Sequence, residues 1–227
     1  MQVNLCMFIL SSGAPQDNLA LVWQGLHNYW EDHPCGDHFT HLKLSMFVSN
    51  DDPHDTFPKL KGRAAECKSL MPALAEVWEG YMTAGDVSHQ AVLQGLKSSA
   101  MLDEILDCYP DADVLPDEVA RDFVDHSWLY VRCQNAVAAH FNRDEALMIF
   151  DITIKTHWVC HCAQRATHLN PRKGWNFAGE DFMHKCQVLH QSCMRGNSAP
   201  QSVVKFAGKY AYALHLLFTD MEMGLYD

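Results

Sequence analysis

Apolar residues recur every three to four positions through most of the chain, which is the spacing of a helix with one buried face. Pro, Gly, Asn and Asp separate the periodic stretches, so most of the helices have a local stop signal. The pattern predicts a mainly α protein, a helical bundle-like single domain over residues 59–227 that follows a small mixed segment over residues 1–58. We expect helices over residues 17–30, 59–81, 86–108, 116–140, 145–166, 180–195 and 202–218.

Three stretches depart from this simple pattern. VNLCMFIL and LKLSMFV, both in the N-terminal segment, are short continuous apolar runs and therefore strand candidates. Pro72 lies inside the helix predicted over residues 59–81 and should kink it or mark two abutting helices, because proline lacks the amide hydrogen. Residues 149–154 are β-branched enough to form a strand within the helix predicted over residues 145–166.

Charge is distributed unevenly along the chain. The net charge is −11, but residues 1–151 carry −14, residues 152–209 carry +6 and residues 210–227 carry −3. A segregated basic segment can dock on the acidic part of the same chain or on a polyanion, and the sequence leaves both open.

Cysteine content and hydropathy restrict the cellular setting. The nine cysteines are an odd number without regular spacing, which favours reduced thiols in a nuclear or cytoplasmic protein. No apolar run approaches the roughly 20 residues that span a bilayer, so we expect no membrane partner.

Histidines at metal-ligand spacing occur in two places. His157 and His161 are four residues apart, so a helix puts both side chains on one face within reach of one metal ion. A hydrolytic zinc site would need a glutamate between them, and none is present. The alternative is that both histidines are structural. The segment HPCGDHFTH also contains three histidines and a cysteine, namely His33, Cys35, His38 and His41, and predicts a zinc site or a polar loop.

Basic and aromatic residues cluster around the break at Asn170-Pro171. Cations interleaved with an aromatic ring suit nucleic acid, because phosphates pair with the cations and bases stack on the ring. Capping of a helix end and packing of a tryptophan into a helical hairpin explain the same residues without any ligand. The candidate nucleic-acid-binding residues are Arg165, Arg172, Lys173, Trp175 and Lys185.

The order of these motifs resembles the C-terminal, helical region of transposon-encoded proteins. The residues that carry the resemblance are H-x-x-x-H, Asn-Pro-Arg, Trp175, the run from Glu180 to Met183, a last helix rich in Lys and Tyr, and the earlier stretch KLKGRAAECKSLMPAL. Proteins with related regions include CACTA-type transposases, which bind two magnesium ions through three carboxylates on a ribonuclease-H-like core.

The resemblance implies that Glu180 matches the last catalytic carboxylate and that His157 and His161 match paired histidines before it. The chain lacks a pattern for a five-stranded core that would carry the earlier aspartates, and Asp151 is the sole strand-end candidate. The resemblance therefore implies a mobile-element-derived nucleic-acid-binding protein, a transposase-like fragment without a complete catalytic site. The alternative is a helical protein-interaction or scaffold module, zinc-stabilised or not, with no nucleic-acid role.

Overall fold

The computed structural model describes residues 14–47, 60, 62–144, 150–174, 177–194, 196 and 198–222. For residues 144, 177–185, 217 and 220–222 it describes the backbone but not the side chains. Seven α-helices and no strand occur in these residues, so the mainly α prediction is confirmed. The helices are α1 (Pro15–Asp32), α2 (Ala64–Tyr81), α3 (Val87–Cys108), α4 (Asp117–Ala138), α5 (Ile154–Arg165), α6 (Phe177–Met194) and α7 (Ala199–Glu222).

The chain divides into two compact units, Met1–Lys173 and Gly174–Asp227. Within the first unit, α1 packs against α2. The boundary predicted after residue 58 stays a prediction. The predicted boundary loop lies mostly outside the described residues, as does the strand candidate VNLCMFIL.

The core of the first unit lies between α1, α2 and α3. Its largest fully buried side chains include Trp78, Leu74, Leu26 and Leu96, which come from all three helices. Burial of one such side chain contributes roughly 1.5–3 kcal/mol, so this cluster carries much of the stability of the unit. The indole N–H of Trp78 donates a hydrogen bond of 2.9 Å to the carbonyl of His89, which satisfies its one polar atom.

Local capping explains where several helices begin. Asp86 accepts hydrogen bonds from the backbone amides of Ser88 and His89 at the start of α3. Thr153 accepts from Lys155 at the start of α5, and Pro116 immediately precedes α4. The side chains of Asp86 and Thr153 satisfy amides that a helix start leaves unpaired, whereas Pro116 makes no such hydrogen bond.

The structure excludes a strand in the described part of LKLSMFV and a boundary between two helices at Pro72, while a kink at Pro72 stays a prediction. LKLSMFV contains a 3-10 turn over Leu44–Met46 instead of a strand, since no neighbouring strand is present among the described residues to pair with it. The helix α2 continues through Pro72 as one element, so Pro72 does not separate two helices.

The segment before α5 is held by a side chain instead of a sheet. A π-helical turn over Ala139–Asp144 follows α4. Asn142 in this turn accepts a hydrogen bond of 3.1 Å from the amide of Phe150 and also donates to the carbonyl of Phe150. Phe150 is fully buried in the core. Residues 150–153 therefore belong to neither a strand nor a helix, and α5 begins only at Ile154.

The second unit contains the antiparallel neighbours α6 and α7. Gly196, in the connection between them, has φ +71°, a conformation that glycine adopts without strain. Ser202 is buried and donates a hydrogen bond of 3.3 Å to the carbonyl of Cys193. None of the described helices has a stretch long and apolar enough to cross a membrane.

Candidate functional site

Asn170 fixes the turn that follows α5. Its side chain is fully buried, and its amide donates hydrogen bonds of 2.8 and 2.9 Å to the carbonyls of Tyr109 and Ala112. Its carbonyl oxygen accepts from the amide of Arg172, and its own backbone amide donates to Asp113. The 170–174 turn is therefore attached to the loop between α3 and α4, more than 55 residues earlier in the chain.

The two cations of this turn face acids from the first part of the chain. Arg172 donates from Nη1 to Asp107 Oδ1 at 3.1 Å and to the carbonyl of Leu106 at the same distance. Lys173 Nζ lies 3.3 Å from Asp113 Oδ1. Pairs as exposed as these contribute at most about 1 kcal/mol each, but they neutralise the positive charge locally. This arrangement matches the internal docking that the charge distribution left open.

Asp107 also connects the turn to α2. Lys68 forms an ion pair with the same carboxylate, which is therefore shared by Lys68 and Arg172. Burial opposes ionisation of Asp107, but the hydrogen bonds and charges of the two cations outweigh it and lower its pKa. Asp107 is therefore ionised at neutral pH and links three segments that are distant in sequence.

An open cleft of about 540 Å³ lies beside this network, between α2, α3 and the loop after α1. Small apolar residues form part of its lining, including Ala65, Pro72 and Ala100. The described residues also place four carboxylates and one lysine there: Asp37, Asp103, Glu104, Asp107 and Lys68. We call this feature the acid-lined cleft.

In the acid-lined cleft, the carboxyl group of Asp103 has a strongly shifted pKa. Burial raises its pKa to about 6; the charge of Lys68 works against the rise and the charge of Asp107 adds to it. Burial also raises the pKa of the neighbouring Tyr130, and the charge of Asp103 raises it further. A carboxyl with such a pKa changes protonation close to physiological pH, so the charge of the cleft depends on pH.

His157 and His161 lie on successive turns of α5, as their spacing predicts. Their Nε2 atoms are 2.9 Å apart, and their ring planes are inclined by 85°. His161 Nδ1 lies 3.4 Å from Gln164 Oε1. No group of three or more His, Cys, Asp or Glu side chains in the described part of the chain is arranged to surround an ion. The geometry therefore brings together two possible ligands, and a metal there remains a prediction.

Of the predicted site residues Arg165, Trp175, Glu180 and Lys185, the structure describes the side chain of Arg165 alone. Arg165 is exposed in the last turn of α5. Trp175 lies outside the described residues, and Glu180 and Lys185 belong to α6 with their side chains also outside them. No distance from Glu180 to another carboxylate follows, so its catalytic role stays a prediction.

The histidines of HPCGDHFTH separate into different contacts. His33 stacks on Tyr29 with ring centroids 4.3 Å apart, and His38 lies beside Trp30 at 5.0 Å. Cys35 Sγ is 3.9 Å from His38 Nδ1, the nearest approach between two candidate ligands that the structure gives here. The arrangement resembles an aromatic-histidine cluster more closely than a metal centre.

No pattern in the sequence directly indicates the acid-lined cleft. No motif surrounds Lys68 or Asp103, and α3 carries two other acids, Glu104 and Asp107. One signal was present, since Asp103 follows the buried Leu96 by seven residues and so shares its helix face. An acid at an inward position of an amphipathic helix indicates a partner or a ligand.

Comparison with known proteins adds no family. No family model, curated protein or solved structure matches the chain. The resemblance to transposon-encoded proteins therefore stays a prediction.

Proposed function

We propose that this chain is a helical protein-interaction module that receives basic side chains of a partner protein in the acid-lined cleft. The observation that carries the proposal is the composition of the cleft, where four carboxylates accompany a single lysine beside small apolar residues. A lysine or arginine side chain fits such a site, because its apolar stem packs on the small residues and its charge meets the carboxylates.

The net charge of the chain supports a basic partner. At −11 the protein attracts cations over long range and repels phosphate polymers, which raises the association rate of a basic partner. The cations best placed to offset this repulsion, Arg172 and Lys173, are already close to Asp107 and Asp113. A polyanion would have to compete with these intramolecular partners.

The test is binding of a fluorescein-labelled peptide that contains lysine and arginine among small residues, measured by anisotropy at several salt concentrations. The cleft variant Asp37→Asn/Glu104→Gln should weaken binding severalfold. A matched control, Asp117→Asn/Glu118→Gln, removes the same charge from the exposed first turn of α4. If both variants reduce binding equally, the attraction is a property of the net charge and the cleft is not the binding site.

Nucleic-acid binding is the second candidate, and one observation on α5 favours it. Trp158 is 61% exposed and Arg165 follows it by seven residues, so an aromatic ring and a cation share one face of the helix. This proposal includes the transposase-like fragment that the resemblance implies, with Lys185 and Trp175 as further contacts.

Labelled single-stranded and double-stranded oligonucleotides decide between the two candidates. Phosphate contacts make the affinity fall steeply as salt rises. Binding in dilute salt that Arg165→Gln weakens would favour the nucleic-acid proposal. Absence of oligonucleotide binding in dilute salt, together with peptide binding that depends on the cleft, supports the interaction module.

A further inference from the structure

The two histidines of α5 form a preorganised pair that neither candidate function uses. His157 is exposed and His161 is half-buried, and the 2.9 Å between their Nε2 atoms is the distance of a hydrogen bond from one imidazole to the other. One Nε2 therefore carries a hydrogen and the other a lone pair in the metal-free protein. A metal ion that replaces this shared hydrogen finds both nitrogens already side by side.

We infer that His157 and His161 chelate a divalent transition-metal ion of the nickel or copper type. At a metal–nitrogen distance of about 2.0–2.1 Å, two ligands at a right angle are about 2.9 Å apart, and two tetrahedral ligands about 3.3–3.4 Å. The 2.9 Å of the metal-free pair needs little change to reach the spacing of right-angled ligands of a square-planar or octahedral ion. Nitrogen ligands in these geometries are typical of Ni²⁺ and Cu²⁺, which also bind imidazole more tightly than Mn²⁺, Fe²⁺ or Co²⁺ do.

The contact of His161 with Gln164 supports a tautomer of His161 whose Nε2 atom can bind a metal ion. Gln164 Oε1 can only accept a hydrogen bond, so its approach to His161 Nδ1 places the ring hydrogen of His161 on Nδ1. The lone pair of His161 is then on Nε2, which is the atom that faces His157. Such a hydrogen bond to the distal ring nitrogen commonly orients metal-binding histidines. When the ring hydrogen of the exposed His157 moves from Nε2 to Nδ1, the Nε2 lone pair of His157 is free to bind the same ion.

Two protein ligands leave the other coordination positions to water or to an exchangeable ligand. A structural zinc ion takes four protein ligands, and the described residues supply only this pair. The inferred site is therefore an open surface chelate that binds and releases its ion, separate from the acid-lined cleft, none of whose lining residues belongs to α5.

Trp158 provides a local reporter. Its ring centroid is 5.6 Å from that of His161, so a paramagnetic Ni²⁺ ion on the pair quenches its fluorescence. The experiment is a titration of the tag-free, reduced chain with Ni²⁺ in a non-chelating buffer, followed by fluorescence and by equilibrium dialysis. Nickel is preferred to copper because Cys160 and Cys162 are close in sequence and copper oxidises thiols.

We expect saturable quenching that EDTA reverses. Because the second imidazole binds intramolecularly, His157→Ala and His161→Ala should each weaken nickel binding at least about tenfold. Trp158→Phe should remove most of the quenching while dialysis still finds one bound ion. The matched control is His168→Ala, since His168 is also exposed but has no histidine four residues away.

Circular dichroism checks that the variants fold, and His157→Gln replaces His157→Ala if the alanine variant does not. The inference is overturned if the parent chain binds nickel no more tightly than the His157 variant, or if His168→Ala causes an equal loss. It is also overturned if quenching persists unchanged in Trp158→Phe.

Discussion

Replacement of Asn170 tests the attachment of the 170–174 turn most directly. Asn170→Ala removes three side-chain hydrogen bonds of 2.8, 2.9 and 3.0 Å from a position with no solvent exposure. At about 1 kcal/mol for each bond, the free energy of unfolding should fall by roughly 3 kcal/mol. The carbonyls of Tyr109 and Ala112 lose a donor at the same time, which makes this value a lower bound where they stay buried.

Asn170→Asp separates hydrogen bonding from side-chain size. The carboxylate has nearly the same shape as the amide, but it cannot donate and it places negative charge against two carbonyl oxygens. An unpaired buried charge costs roughly 3–5 kcal/mol, so Asn170→Asp should be less stable than Asn170→Ala at pH 7. Acidification restores one donor, so the difference between the two variants should shrink as the pH falls.

Urea unfolding followed by tryptophan fluorescence measures both values. Five of the six tryptophans precede residue 174, so the signal reports mainly on the first unit. Asn28→Ala is the matched control, because Asn28 is exposed on α1 and bonds only Gln24 there among the contacts described, and it should change stability by less than about 0.5 kcal/mol. A loss below 1 kcal/mol for Asn170→Ala, or an aspartate variant as stable as the alanine variant, would refute the reasoning.

Two further substitutions probe the cleft and the core. The fold raises the pKa of Asp103 to about 6, so its contribution to stability is complete below pH 4 and is lost as the pH rises through 6. Asp103→Asn should therefore raise the free energy of unfolding by about 1–3 kcal/mol at pH 7. The free energy of unfolding, measured in urea, should also vary less between pH 4 and 7 in this variant, and an unchanged pH dependence would contradict the prediction. Gly25→Ala should lower the melting temperature, because the new Cβ would meet Val77 Cγ2 at 2.8 Å. Gly80→Ala, with nothing within 4 Å, should leave it unchanged or raise it, and equal effects of the two would argue against close packing of α1 on α2.

The helices with local start signals could be predicted from the sequence. The helix predicted over residues 86–108 corresponds to α3, since the Asp86 cap is read from neighbouring residues alone. The conformation of the segment from Phe150 to Thr153 could not be predicted from the sequence. It depends on a hydrogen bond with Asn142, which forms only when α4 and the π-helical turn are in place. The β-branched residues alone favour a strand there, but the hydrogen bond with Asn142 holds the segment in a conformation that is not a strand.

The candidate sites likewise include features that follow from local sequence and features that depend on tertiary contacts. The pairing of His157 with His161 follows from helical periodicity and is seen in the structure. The partner of Arg172 is Asp107, 65 residues away, and no local pattern identifies it. The pKa of Asp103 likewise depends on the packing of α2 beside α3, which the sequence does not specify.

The position of the Asn170 attachment indicates where this polypeptide could be shortened. Every hydrogen bond and ion pair described for Asn170, Arg172 and Lys173 is made with a residue before Gly174. A truncation that stops at Gly174 therefore retains the whole set, whereas one that stops at Leu169 deletes all of it. The five residues between these two ends should decide whether the N-terminal fragment is recovered folded after expression.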